Sequence, residues 1–218
     1  MAIKAVFFDM DGTLVNSLND LAVSTNYALE KNGYNKKPIE NYTDYQGNGV
    51  YVMIERALAP VTVNKQELAV LRNDFFDYYK CHHTDYTTVY EGMSELVATL
   101  KQNGIIVGCI TNKVEKIAIS IINHFFGGMD IIAGQIDGVP NKPDPYQTIE
   151  AMKTLNLKPE ECLFVGDTNV DIDTAKAANI KSVGCLWGFR TEQELVSAGA
   201  NYIVKTPSEI LGIIKNDK

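Results

Sequence analysis

Short, unbroken apolar runs alternate with amphipathic stretches along most of the chain. Ala5–Phe8 is the first such run. Others lie at Ile105–Ile110, Asp130–Ala133, Leu163–Val165 and Ser182–Cys185, with a weaker one at Tyr202–Val204. A strand covered on both faces loses the apolar–polar alternation of a half-exposed one, so these runs predict strands of a parallel sheet. Between them, Met93–Gln102, Val114–Phe125, Tyr146–Leu155, Asp171–Ala178 and Glu192–Ser197 carry apolar residues at helical spacing. Strands alternating with helices predict an α/β domain built on a doubly wound parallel sheet.

Residues 17–84 break that rhythm. Leu18–Lys31, Val50–Leu58 and Gln66–Cys81 all read as helices with no strand between them, and Gly33, Pro38, Gly47, Gly49 and Pro60 mark the turns. The reading is a helical module (17–84) inserted after the first strand of a core formed by 1–16 and 85–218. The connections Leu14–Ser17 and Thr84–Val89 are the expected hinges. The polar end Lys215–Lys218 is expected to fray.

Composition narrows the function classes. With 218 residues and 45% hydrophobic content, the chain can bury a full core. Its net charge of -7 speaks against nucleic acid or an anionic membrane as the main partner. The four cysteines, Cys81, Cys109, Cys162 and Cys185, form no Cys-x-x-Cys pair and read as free thiols of a reducing compartment. The acidic Asp9 arrives too early for a signal-peptide core, and no apolar stretch approaches the ~20 residues needed to span a bilayer. The expected location is cytoplasmic.

In open parallel sheets, ligands bind beyond the carboxyl ends of the strands. Four such ends carry polar residues. After Phe8 comes Asp9-Met10-Asp11-Gly12-Thr13; if the chain stays extended, Asp9 and Asp11 point the same way, with Cα atoms roughly 6–7 Å apart. Thr111-Asn112 closes another run just before a helix, where a hydroxyl and the first helical amides make a natural phosphate cradle. Lys142 sits in Asn141-Lys142-Pro143-Asp144-Pro145, whose prolines are expected to hold the loop extended and the lysine inward. Asp167 ends a strand, and Asp171 follows in the first helical turn.

Taken singly, each piece has an ordinary explanation. Asp-x-Asp-Gly is often a turn, Thr111-Asn112 a helix cap, Lys142 a solvated lysine, and Asp167 with Asp171 a cap and a helix-dipole charge. Together they are a complete set of groups for phosphoryl transfer, brought to one edge of one sheet. The histidines add nothing to this set: adjacent His82 and His83 cannot easily share a metal, and His124 lies among Ile117, Ile121 and Phe125.

The combination resembles the haloacid dehalogenase-like phosphatases. Asp9-Met-Asp11-Gly-Thr13 matches their first motif, Thr111 the second, Lys142 the third, and Gly166-Asp167 through Asp171 the fourth, while the helical insertion matches their cap. The resemblance implies Asp9 as nucleophile, Asp11 as general acid and base, and Lys142 as charge-balancing cation. It also implies Mg²⁺ held by Asp9, the Asp11 backbone carbonyl and Asp167, with Asp171 supporting the metal or Lys142, and phosphate oxygens held by Thr111 and Asn112. The stretch Tyr45-Gln-Gly47-Asn48-Gly49-Val50-Tyr51, leading to Arg56, is similar to the cap of phosphoglycolate phosphatases. Backbone amides around Gly47, Asn48 and Gly49 can form an anion-binding concavity, though Gly-Asn-Gly before a helix is also plain turn chemistry. Asn16 and Val114 depart from that subfamily, which usually carries Asp and Pro there.

The expected partner is therefore a small phosphorylated metabolite, with phosphoglycolate foremost. Pyrophosphate, nucleoside monophosphates and sugar phosphates stay open. A β-phosphoglucomutase-like phosphomutase is the rival within enzymology, disfavoured by the lack of an early His-containing cap pattern. A receiver module lacks a cap and an Asp-x-Asp first strand, and an idle binding protein would not need Asp9, Asp11, Lys142 and Asp167 together.

Overall fold

A computed structural model describes residues 2–47 and 49–216. In chain order the elements are β1 (Ala5–Phe8), β2 (Val15–Asn16), α1 (Leu18–Lys31), α2 (Tyr42–Tyr45), α3 (Val50–Leu58), α4 (Lys65–His82), β3 (Thr88–Val89), α5 (Met93–Gln102), β4 (Ile106–Val114), α6 (Glu115–Phe126), β5 (Ile131–Gln135), α7 (Tyr146–Thr154), β6 (Cys162–Gly166), α8 (Asn169–Ala177), β7 (Lys181–Cys185), α9 (Glu192–Ala198), β8 (Tyr202–Val204) and α10 (Glu209–Asn216). They fall into two compact units, Met1–Val15 with Val89–Lys218, and Asn16–Thr88. The short strands β2 and β3 pair where the chain passes from one unit to the other.

The larger unit is a six-stranded sheet in the order β5-β4-β1-β6-β7-β8, parallel throughout its pairings. Its apolar runs are unbroken because both faces are covered. Val6, Phe8, Val107, Cys109, Leu163 and Val165 face one buried cluster, while Ala5, Phe7, Ile110, Cys162 and Phe164 face another. Phe7 and Phe8 are both fully buried on opposite faces, each worth about 1.5–3 kcal/mol of transfer free energy.

The strand order fixes where chemistry can occur. From central β1 the chain first builds outward through β4 to β5, then crosses to the other side through β6, β7 and β8. Beyond the carboxyl end of β1, neighbouring connections leave in opposite directions and open a crevice. The residues facing it are those that follow β1, β4 and β6.

Two element boundaries depart from the sequence expectation. Strand β4 does not stop at Ile110 but runs to Val114, with a register irregularity against β5 between Ile110 and Val114. Thr111 and Asn112 thus lie within an extended strand end, and α6 begins only at Glu115. The tail expected to fray from Lys215 is helical as far as Asn216, because Ile210 is fully buried and Leu211, Ile213 and Ile214 pack against the same core cluster. Residues beyond Asn216 lie outside the described region.

The smaller unit is helical. Leu29 of α1, Leu71, Phe75 and Tyr79 of α4, and Ile54 and Ala57 of α3 are buried. Helix α4 starts with a capping box: Asn64 Oδ1 accepts from the Gln66 and Glu67 amides, and Glu67 returns a bond to the Asn64 amide. Asp20, buried in the first turn of α1, accepts from the Tyr86 and Thr87 amides and from the Thr87 hydroxyl at 2.6 Å. That carboxylate fastens the returning chain to the start of the helical unit.

Candidate active site

The Asp9 amide still bonds the Val165 carbonyl past the end of β1, and the chain then bends at Met10 rather than staying extended. Met10 is fully buried in the core, so Asp9 and Asp11 turn toward the crevice. Asp9 is nearly buried, whereas the Asp11 side chain keeps 22% of its exposure. Gly12 then leaves the strand at φ +90°, and a Cβ there would meet Asp167 Oδ2 at 2.3 Å. The turn therefore requires glycine for its conformation and for its contact.

Lys142 is buried and joins two carboxylates, its Nζ lying 2.8 Å from Asp9 Oδ1 and 2.7 Å from Asp171 Oδ1. The other oxygen of Asp171 accepts from the Thr168 amide and hydroxyl at 3.0 and 2.8 Å, closing the cap of α8. Asp171 thus serves helix and lysine together. Gly166 makes room for it, since a Cβ at 166 would lie 2.2 Å from Asp171 Cβ.

The loop carrying Lys142 is not extended as its prolines suggested. Residues 142–145 form turns and bends, with the Asp144 amide bonded to the Asn141 carbonyl. The lysine is fixed instead by Asn112, which accepts from the Lys142 amide at 2.8 Å and donates to the Lys142 carbonyl at 3.1 Å. This carboxamide, expected to hold phosphate, is occupied as a strut between β4 and the lysine loop. The Thr111 hydroxyl, buried at the same strand end, accepts from the Lys113 amide at 3.2 Å.

Lys113 was not singled out from the sequence. Its Nζ lies 2.8 and 3.0 Å from the two oxygens of Asp11, and its side chain is 4% exposed. The signal was available: on a strand, residue 113 shares a face with Thr111. The segment Trp187-Gly188-Phe189-Arg190 after β7, which could shape the site rim but had no role assignable from sequence, also enters the site. Its Phe189 amide donates to Asp167 Oδ2 at 2.9 Å, and Trp187 Nε1 donates to the Thr13 carbonyl at 3.0 Å.

Electrostatics mark the crevice as a cation site. Asp9, Asp167 and Asp171 each offer an oxygen, all within 4.8 Å of one another. Burial, opposed by Lys142 and reinforced by Asp171, pushes the Asp9 carboxyl up to about 6. Burial first, then Asp171 and Asp9, pushes Asp167 well above the ordinary range. Burial works against the charge on Lys142, but Asp171 and Asp9 outweigh it and raise its pKa. Asp9 Oδ1 is buried without a well-directed hydrogen bond despite its closeness to the lysine. The four carboxylates of Asp9, Asp11, Asp167 and Asp171 face the two ammonium groups of Lys113 and Lys142. A hard divalent cation fits this excess of carboxylate oxygen.

The remaining expected residues lie in the helical unit. Gly47 and Gly49 have φ of +103° and +86°, and Gly49 caps α3. Asn48 lies outside the described residues. Arg56 donates to the Asp44 and Tyr45 carbonyls at 3.1 and 3.0 Å, securing the end of α2. The histidines have local roles: His82 stacks on Tyr78 and pairs with Asp85, His83 bonds carbonyls of α4, and His124 meets Phe125 edge to face. All four cysteines are free, and three are buried. No helix among the described residues is long and apolar enough to cross a membrane.

A parallel α/β sheet with a helical insertion after its first strand, and with lysine-bridged aspartates at the switch point, defines a phosphoryl-transfer hydrolase. The chain belongs to the haloacid dehalogenase-like hydrolase family, whose model matches residues 6–185. It is 32% identical over 224 residues to the phosphoglycolate phosphatase of Vibrio cholerae, covering 98% of this chain and 97% of that protein. The phosphoglycolate phosphatase of Aquifex aeolicus is 27% identical over 219 residues, covering 98% and 97%. A solved structure from Lactobacillus delbrueckii subsp. bulgaricus, provisionally assigned as a phosphoglycolate phosphatase, superimposes with a TM-score of 0.92 at 29% identity over 98% of this chain and 99% of that one. The protein is a phosphoric monoester hydrolase of the phosphoglycolate phosphatase-like type.

Proposed function

We propose that the protein is a Mg²⁺-dependent phosphatase of small phosphate monoesters that works through an aspartyl phosphate on Asp9, with phosphoglycolate as its substrate. The observation that carries the mechanism is the Asp9–Lys142–Asp171 bridge, with Asp167 close by. An ammonium group 2.8 Å from Asp9 favours the ionised nucleophile against the burial that opposes it. With a carboxyl pKa near 6, Asp9 is mostly ionised at neutral pH.

The chain's own groups account for the proton and bond changes. An Asp9 oxygen attacks phosphorus as the bond to the leaving oxygen breaks, and Asp11 gives that oxygen its proton. Water then loses a proton to Asp11 and attacks the phosphoryl group, which releases inorganic phosphate and restores Asp9. Lys142 offsets charge beside the nucleophile, and Thr111 offers its hydroxyl to a non-bridging oxygen. Asp9, Asp167 and the Asp11 backbone carbonyl would hold Mg²⁺, which supplies neutralisation of phosphoryl charge when bound.

The substrate assignment is supported by the names carried by the relatives and by Gly47 and Gly49, whose left-handed backbone is of the kind that leaves amides open to a second anionic group. The free thiols favour a reducing, cytoplasmic setting. The test is phosphate release from phosphoglycolate, pyrophosphate, nucleoside monophosphates and hexose phosphates, with and without Mg²⁺, beside Asp9→Asn. Preference for phosphoglycolate, lost without Mg²⁺ and in the variant, is expected. Turnover in Asp9→Asn would overturn the nucleophile. Phosphoryl return to a sugar without free phosphate would favour a phosphomutase.

A further inference from the structure

We infer that the segment Trp187-Gly188-Phe189 is a positioning device for Asp167, and that Trp187 acts on the cation site through Thr13. Four groups close a ring. The Thr13 hydroxyl donates to Asp167 Oδ1 at 3.0 Å, and the Phe189 amide donates to Asp167 Oδ2 at 2.9 Å. Trp187, two residues before Phe189, donates from Nε1 to the Thr13 carbonyl at 3.0 Å. Each oxygen of Asp167 is therefore held from a different flank, and the indole ties the flanks together.

The ring leaves no slack. A Cβ on Gly188 would lie 2.3 Å from Asp167 Cβ and 2.4 Å from the Gly12 carbonyl oxygen. Thr13, Asp167 and the start of the segment are buried or half-buried, so water does not substitute freely for these bonds. A fully buried carboxylate whose ionisation is resisted by burial and by two neighbouring aspartates has reason to be fixed this firmly. Without a cation, like charges drive the carboxylates apart; donors on both Asp167 oxygens hold one of them in place for ligation. Outer partners that orient a metal ligand typically contribute 10–100-fold to metal affinity.

The inference rests on the proposed Mg²⁺ site, and its test separates the two. Trp187 is the only tryptophan in the chain, so its fluorescence reports on this ring. In the wild-type protein, Mg²⁺ added without substrate is expected to shift Trp187 emission saturably, with the same Kd by calorimetry. Trp187→Phe removes the Nε1–H donor and keeps an aromatic ring; its Mg²⁺-free unfolding midpoint should fall because the buried Thr13 carbonyl loses its donor, and its calorimetric Kd should rise by about 10-fold or more. Thr13→Val, which keeps the fluorophore, should weaken Mg²⁺ similarly, and it serves if the first variant does not fold. Wild-type affinity in either folded variant would overturn the positioning role alone. No Mg²⁺ binding by the wild-type protein would overturn the metal reading and this inference together.

Discussion

Lys113 Nζ bonds both carboxylate oxygens of Asp11, at 2.8 and 3.0 Å. The pair joins the strand end that follows β1 to the end of β4, so the group assigned as proton donor and acceptor is held by the neighbouring strand. Lys113 is buried while Asp11 keeps part of its exposure, which leaves the carboxylate reachable from the crevice.

Replacing Lys113 with Met should therefore leave Asp11 present but unaimed. General acid–base catalysis contributes about 10²–10⁴-fold, and loss of aim should forfeit on the order of 10-fold of it in kcat. The loss should be smaller in the phosphorylation half-reaction of an aryl phosphate, whose leaving group needs little proton donation. Single-turnover phosphorylation rates for alkyl and aryl esters provide the check. Equal losses for both would mean that Lys113 does not act through Asp11.

Asn112→Ala removes both bonds to the Lys142 backbone. Leaving those buried backbone groups unpaired should cost about 1–3 kcal/mol of stability, measurable by urea unfolding. It should also lower kcat, because Lys142 loses its hold beside Asp9. A variant that loses stability yet turns over at the wild-type rate would show that the strut serves the fold only.

The legibility of this site followed the range of the interactions involved. The parallel sheet was readable because its strands are apolar on both faces, a property of consecutive residues such as Val6, Phe7 and Phe8. The proposed site aspartates were readable because Asp9 and Asp167 directly follow strands, with Asp11 and Asp171 two and four residues further on. What escaped was pairing across strands. Asn112 and Lys142 are 30 residues apart, and Lys113 and Asp11 are 102 apart. Only the strand order brings them together. The irregularity in β4 likewise depends on β5, so the start of α6 was placed a residue early. The role of Trp187 needed a partner 174 residues away.

The acidic crevice also predicts a pH dependence with a definite sign. In the metal-free folded protein, burial and the nearby Asp171 lift the Asp9 carboxyl from 3.8 to about 6, against the pull of Lys142. Asp167 moves in the same direction. Between about pH 4 and 6 Asp9 therefore makes the folded state bind more protons than the unfolded chain, so it favours folding at low pH and that contribution is lost as pH rises through 6, and Asp167 acts in the same sense. A cation that replaces those protons reverses the penalty where the carboxylates are ionised. Mg²⁺ should thus raise the unfolding temperature more at pH 7 than at pH 5. At about 100-fold excess over Kd, the gain at pH 7 should be about 5–10 °C. Thermal unfolding with and without Mg²⁺ at both values measures it, and Asp167→Asn should shrink the shift at pH 7. Equal shifts at the two pH values would show that protons and cation do not compete for these carboxylates.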